Sequence, residues 1–146
     1  MALIVPKTIL KRKYSHKIDY RGESKGNKKI HWGQFGLQAE EGYWISNRQI
    51  EAARKVLSHY VKSYGKIFIN IFPFLPKTKK PLEVRMGSGK GSVESWVAVI
   101  KRGTVMFEIK LNDLKYGSIA QDALKKASYK LPIRCRVLVQ SQKENP

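Results

Sequence analysis

Between residues 46 and 65 the sequence permits little other than one amphipathic helix, and that helix dictates what must surround it. Ser46 is a good N-cap, and Gln49 three residues on gives the spacing of a capping box. Ile50, Ala53, Leu57, Val61 and Tyr64 recur at steps of three and four, marking one apolar stripe. Glu51 stands four residues before Lys55, the favourable order for a helical ion pair, and Gly65 is placed to end the run. A helix with a single stripe needs an apolar surface beneath it, and the flanking segments read as strands.

His31 to Ser46 predicts strands either side of a Glu40-Glu41-Gly42 turn, with Trp32, Phe35 and Leu37 before it and Tyr43-Trp44-Ile45 returning. Lys66 to Phe72 alternates Ile67, Ile69 and Ile71 against Phe68, Asn70 and Phe72, another strand. Pro73, Pro76 and Pro81 then predict an irregular loop. Glu94 to Lys101 and Thr104 to Lys110 predict a hairpin around Lys101-Arg102-Gly103. A second helix is expected from Ser118, with Gln121 as its box partner and Ala120, Ala123, Leu124 and Ala127 on its apolar face. Pro132 stops it before a last strand, Ile133 to Val139. Strands and helices do not alternate strictly, which argues against a doubly wound parallel sheet. The expectation is a single α+β domain over residues 31–146: two helices packed on a mixed or mostly antiparallel sheet, with a Gly/Lys/Arg loop inserted at about 77–92.

Charge narrows the partner to a polyanion, a nucleic acid or an anionic membrane, without choosing between them. Twenty-nine Lys and Arg against eleven Asp and Glu leave +18 on 146 residues, with a pI near 10.1. A domain carrying that much charge of one sign repels itself and favours a polyanion. A membrane surface is a poor fit: the apolar start Met1 to Val5 is cut off by Pro6, too short for a span or a secretory signal. The single cysteine, Cys135, excludes an internal disulfide. An intracellular, soluble, polyanion-binding protein is expected.

Residues 1–30 stand apart from the rest. They hold nine cations against only Asp19 and Glu23, with poor apolar periodicity. This reads as an extended basic arm that orders on its partner, or as a solvated terminus. Arg48, Lys55 and Lys62 recur every seven residues on one helix face, and a solvated row and an RNA-facing row fit that spacing equally.

The motif richest in chemistry is Arg85-Met86-Gly87-Ser88-Gly89-Lys90-Gly91. A Walker A loop would need glycine at 84 and Ser or Thr at 91, where Val84 and Gly91 stand. The dinucleotide fingerprint needs glycine at 92, where Ser92 stands. The loop still suits RNA. Its glycines let the backbone approach a phosphate, and Arg85 and Lys90 supply charge. An ordinary glycine turn is the plain alternative. No catalytic constellation emerges: His16, His31 and His59 are scattered, Glu40-Glu41 sit in a turn, and Cys135 reads as a small core residue. Most of the Trp and Tyr residues lie on strand patterns and read as core.

These motifs, taken in order, resemble the universal large-subunit ribosomal protein sixteen family of bacteria and organelles. The match runs from Pro6-Lys7 and the basic stretch to His16-Lys17, through Phe35-Gly36-Leu37 and Arg48-Gln49-Ile50-Glu51-Ala52-Ala53-Arg54. It continues through Gly65-Lys66-Ile67, Lys80-Pro81, Arg85 to Gly91, Trp96-Val97-Ala98 and Lys130-Leu131-Pro132-Ile133. The resemblance implies a structural constituent of the large ribosomal subunit, lying among rRNA helices beside the aminoacyl-tRNA site. It implies rRNA contacts for Lys7, Lys11, Arg12, Lys13, His16, Lys17 and Arg21 of the arm, Arg48, Arg54 and Lys55 of the helix, and Lys77, Lys79 and Lys80 of the proline loop. Arg85 to Gly91 then reaches toward the subunit's functional core, where it helps shape the peptidyl-transferase region and the tRNA passage. The implied partners are large-subunit rRNA, aminoacyl-site tRNA and neighbouring ribosomal proteins. No membrane, homo-oligomer, cofactor, metal or catalytic residue is expected. Tyr43-Trp44-Ile45-Ser46 and the serine in Gly87-Ser88-Gly89 look more like plastid (chloroplast) members than typical bacterial ones, so a plastid ribosome is expected, with another organelle or a bacterial cytoplasm as the alternatives. The competing reading is an RNA-binding or RNA-modifying protein outside the ribosome.

Overall fold

The structure, a computed structural model, describes residues 4–6, 13–14 and 17–140. In chain order the elements are β1 (Phe35–Ala39), β2 (Tyr43–Ser46), α1 (Asn47–Val61), β3 (Gly65–Ile69), β4 (Leu75–Lys79), β5 (Ser92–Ile100) and β6 (Val105–Leu111). A 3-10 turn (Leu114–Tyr116), α2 (Gly117–Ser128) and β7 (Cys135–Val139) follow. The strands form two antiparallel sheets, β3-β6-β1-β7 and β2-β5-β4, an α+β fold of the expected class.

The expected hairpin around Lys101-Arg102-Gly103 does not form, and the strands either side of Glu40-Glu41-Gly42 do not pair with each other. β1 and β2 belong to different sheets, as do β5 and β6. The four strands instead make one long antiparallel ribbon, β1–β2 running against β5–β6. Gln38 faces Val105 and Tyr43 faces Ile100, so the register is the same on both sides of the corner. Backbone bonds span the bend, Ala39 N–H to the Thr104 carbonyl at 2.9 Å and Gly103 N–H to the Ala39 carbonyl at 2.8 Å. Glu40-Glu41-Gly42 and Lys101-Arg102-Gly103 are therefore paired corners where the ribbon passes from one sheet to the other. A register shift between Leu37 and Gln38 adds the local twist that such a bend needs. The expected proline loop also changes character: Leu75–Lys79 is a strand paired with β5, leaving only residues 80–91 as the connection. Pro76 is tolerated because β4 is an edge strand, where its missing N–H breaks no ladder.

Helix α1 is built as its sequence dictates. The Ser46 side chain accepts from Gln49 N–H while Gln49 Oε1 accepts from Ser46 N–H, a complete capping box. Ile50, Ala53, Leu57 and Val61 are fully buried against Leu37, Ile45, Phe107 and Ile109. The chain leaves the helix at Lys62 in right-handed backbone, so Gly65 does not cap it. Gly65 instead opens β3, where a Cβ would overlap the Lys110 carbonyl oxygen and lie 2.9 Å from Leu111 Cα. The ion pair also differs. Glu51 bonds Arg54, Nε at 2.9 Å and Nη2 at 2.7 Å, in place of the expected Lys55. In α2, Ala120, Ala123, Leu124 and Ala127 are fully buried, and the two helices pack on each other over one face of the four-stranded sheet. Ser118 lies inside its first turn. The helix starts at Gly117 without a side-chain cap, because the 3-10 turn already leads its backbone in.

The opposite face of that sheet is covered by the chain before β1, and Glu108 holds it there. This β6 carboxylate is fully buried. Its Oε2 accepts from Trp32 N–H at 2.7 Å and Gly33 N–H at 3.0 Å, His31 N–H reaches both oxygens at 3.2 Å, and Asn70 Nδ2 donates to Oε1 at 2.6 Å. Gln38 adds a second clasp, its Nε2 donating to the Lys28 carbonyl at 3.2 Å and the Gly103 carbonyl at 2.8 Å, while its Oε1 accepts from Arg136. Trp32, expected in the core, is two-thirds exposed and stacks on Phe68 with ring centroids 6.3 Å apart.

Two outcomes follow from these contacts. Glu108→Ala leaves three backbone donors and Asn70 without their acceptor, and is expected to destabilise the chain by about 3 kcal/mol or more in urea unfolding. A loss below about 1 kcal/mol would show that the clasp is replaceable. The Arg54 hydrogen bond holds the Glu51 carboxyl below its ordinary range, against the opposing effect of burial. A depressed folded-state value means that the pair stabilises above the unfolded carboxylate range and that this contribution is lost as pH falls through it. Glu51→Gln is expected to cost about 1–3 kcal/mol at pH 7 and progressively less in unfolding curves taken below about pH 4.

Candidate nucleic-acid interface

The connection between β4 and β5 is the most exposed segment among the described residues: residues 81–90 are all open to solvent. Leu82 and Met86 are each 95% exposed, so neither serves the core. Gly87, Ser88 and Gly89 take consecutive positive φ angles of 103°, 57° and 88°. The tip therefore turns through three successive positive-φ residues, with its backbone open to solvent. Ser88 tolerates the left-handed region at a cost that glycine on either side does not add to. Gly91 serves a different end. A Cβ there would lie 2.5 Å from the Lys79 carbonyl oxygen, so it closes the hairpin stem. Within the loop, Lys80 Nζ donates to the Gly87 carbonyl.

The basic arm meets this loop. Lys13 Nζ donates to the Lys90 carbonyl at 3.1 Å, and Lys90 Nζ donates to the Tyr14 carbonyl at 2.5 Å. Farther along, the arm lies over the outer face of the three-stranded sheet. Trp44 Nε1 donates to the Ile18 carbonyl at 3.1 Å, and the Tyr20 ring packs on Tyr43 and Trp44 with centroids 5.6 and 6.3 Å away. Between arm and sheet runs an open groove of about 1020 Å³, whose lining includes Lys17, Arg21, Lys77, Trp44 and Gln49. Arg85, Lys90, Lys13, Lys17, Arg21 and Lys77 thus stand along one loop-and-arm surface.

Other candidate cations lie in different settings. Lys79 pairs with Glu94 at 3.6 Å, both well exposed, a contact of small energetic consequence. Arg48 is exposed in the first turn of α1. Arg54 is committed to Glu51, and Lys55 faces a separate cleft between the two helices. Lys7, Lys11, Arg12 and His16 fall outside the described residues. A further arginine cluster has no local sequence signal: Arg102, Arg134 and Arg136 gather with Lys28 around a pocket shared with Glu23, Glu40 and Glu41. It is a non-local product of the corner at 101–103 meeting β7.

Burial pushes the Cys135 thiol up to about 12, with the Glu40 and Glu41 charges adding to the shift, so it carries no thiolate at neutral pH. Among the described residues no group of three or more His, Cys, Asp or Glu is placed to hold a metal ion. Among them, too, no helix is long and apolar enough to cross a membrane.

The family described as ribosomal protein L16p/L10e matches residues 6–138. Among similar proteins, the large ribosomal subunit protein uL16 of Spiroplasma citri is 52% identical over 136 residues, covering 93% of this chain and 96% of that protein. The uL16 of Mycoplasma capricolum is 51% identical over 135 residues, covering 92% and 95%. That of Lysinibacillus sphaericus is 50% identical over 136 residues, covering 93% and 92%.

The loop divides into a stem that folding needs and a tip that it does not. Gly91→Ala is expected to cost about 1–3 kcal/mol, while Arg85→Ala and Met86→Ala stay within about 0.5 kcal/mol of the parent in urea unfolding. A loss at Arg85 as large as that at Gly91 would contradict this division.

Proposed function

The chain belongs to the ribosomal protein L16p/L10e family, and from that premise we propose that it is a structural constituent of the large ribosomal subunit that binds large-subunit rRNA. The observation that carries the reading is the continuous loop-and-arm surface. A +18 chain places Lys13, Lys17, Arg21, Lys77, Arg85 and Lys90 along it, and none of these is spent on the core. Arm and groove cations follow the phosphate backbone and set register. The exposed tip, Arg85 to Lys90, offers backbone donors and a guanidinium to RNA, with Gly91 closing the stem behind it. Lys7, Lys11, Arg12 and His16 continue the arm's contacts, and Arg48, Arg54, Lys55, Lys79 and Lys80 add contacts from α1 and the β4–β5 hairpin.

The finer placement is the tip beside the aminoacyl-tRNA site, helping to shape the peptidyl-transferase region and the tRNA passage. Its support is physical: a stiffly closed stem with a dispensable, cationic tip suits insertion into a crowded RNA centre. Such a protein acts by positioning RNA and takes no catalytic step of its own. Its partners are then rRNA, aminoacyl-site tRNA and neighbouring large-subunit proteins, with no cofactor. The relatives reported above are bacterial, which favours a bacterial-type ribosome. A plastid setting rests on Tyr43-Trp44-Ile45-Ser46 and Ser88 alone.

The chain is expected to sediment with the large subunit and to remain through a high-salt wash, because shape-matched contacts resist screening better than loose ones. Shortening the arm before Arg21 is expected to weaken RNA association and flatten its salt dependence by about one unit of slope per lost phosphate contact. Recovery only in light fractions free of subunits would favour the RNA-binding role outside the ribosome.

A further inference from the structure

One side chain at the loop tip carries chemistry that neither folding nor phosphate contact uses. Met86 is 95% exposed, and Leu82 and Val84 before it are 95% and 51% exposed. Three apolar side chains within five residues therefore stand in water, and of the three only the Met86 thioether is reactive. The space around it is open. Gly87 follows with no side chain, and a Cβ added at Gly87 or Gly89 would meet nothing within 4 Å.

The rest of the described chain offers an oxidant little else of this kind. Met106, the other described methionine, lies in β6 with no exposed surface. A reagent in water reaches it only through an opening of the core, and open forms are populated at about 10⁻³ or below. Cys135 is partly buried, and burial pushes its thiol up to about 12, so the reactive thiolate is scarce at neutral pH. Exposure thus selects Met86.

We propose that Met86 is a redox-modification site of the free chain, oxidised by peroxide to the sulfoxide before the chain seats on RNA. The thioether sulfur attacks one peroxide oxygen, forming the S–O bond as the O–O bond breaks. Sulfur gives up an electron pair, the peroxide gains it, and the departing oxygen takes a proton and leaves as water. The product is a polar, chiral side chain that a methionine sulfoxide reductase returns to the thioether. Residues 81–90 are all exposed, so the fold does not register the change. The consequence rests on the ribosomal reading above. A tip that would bury an apolar side chain must instead bury a sulfoxide oxygen, which costs affinity unless a donor meets it. Oxidation then marks unassembled chain and hinders its entry into the subunit.

The test treats the full chain with hydrogen peroxide at neutral pH and follows each methionine by peptide mass spectrometry. Met86 is expected to react at the rate of methionine in an unstructured peptide, and Met106 at least about a hundredfold more slowly. The urea midpoint of the oxidised chain is expected to match that of the untreated one. Oxidised and untreated chains then compete for large subunits stripped of this protein. The oxidised form is expected to enter about tenfold less well, and methionine sulfoxide reductase is expected to restore it. Met86→Leu is expected to enter equally before and after peroxide, which assigns the loss to this one sulfur. The proposal is overturned if Met86 reacts no faster than Met106, or if oxidised and untreated chains enter equally. It is also overturned if peroxide lowers the entry of Met86→Leu as much as that of the parent. Untreated chain that fails to enter subunits counts against the ribosomal reading, while the rates at Met86 and Met106 still decide the site.

Discussion

A single buried carboxylate organises the side of the molecule that faces away from its helices. Among the described residues Glu108 forms no salt bridge. It is held by the backbone N–H groups of His31, Trp32 and Gly33 and by the Asn70 amide, a set of donors that leaves little of its hydrogen-bonding capacity unused. A buried charge is tolerable only when so satisfied, which means the 31–33 segment must lie across β6. Once it does, the preceding chain is fixed as well: Val105 N–H reaches the Asn27 carbonyl at 2.7 Å and Ser24 N–H the Arg102 carbonyl at 2.9 Å. The start of the arm is therefore set by the fold before any partner is met. Farther out, the Lys13 and Lys90 exchange holds the arm against the loop.

This arrangement separates the groups that keep the chain folded from those offered to a polyanion. Glu51, Gln38 and Glu108 are spent on the fold, as are the alanines of α2. Arg85, Met86, Lys17 and Lys77 are exposed, and Gly91 marks the border between stem and tip. A preformed curve of backbone at 87–89 means that less ordering is needed at the moment of binding, which favours affinity without added contacts.

The local signals were legible in the sequence. The capping box at Ser46 and Gln49, the stripe Ile50 to Val61 and the alanine face of α2 are set by neighbours three and four residues apart, and each stands as expected. Pairing was not legible. Glu40-Glu41-Gly42 and Lys101-Arg102-Gly103 carry ordinary hairpin chemistry, yet the strands beside them choose partners some sixty residues away, a choice made by burial of the whole ribbon. Gly65 shows the same limit: its position after a helix suggests a cap, but its reason is the Lys110 carbonyl. Trp32 alternates like a core residue, and only the path imposed by Glu108 turns it outward onto Phe68. In the candidate interface, the cations and the glycine spacing were visible, whereas the contact between arm and loop and the aromatic anchors Tyr20 and Trp44 required three dimensions.

The central claim is that a preordered loop tip and a partly fixed arm place this chain against large-subunit RNA. A density map of the intact large subunit from the source cell tests it most directly. The expected result is continuous density for this fold with Arg85 to Gly91 directed into the RNA interior near the aminoacyl-tRNA site, and with the arm beyond Lys17 lying along rRNA. A map that shows the loop tip pointing into solvent and the arm clear of RNA would contradict it.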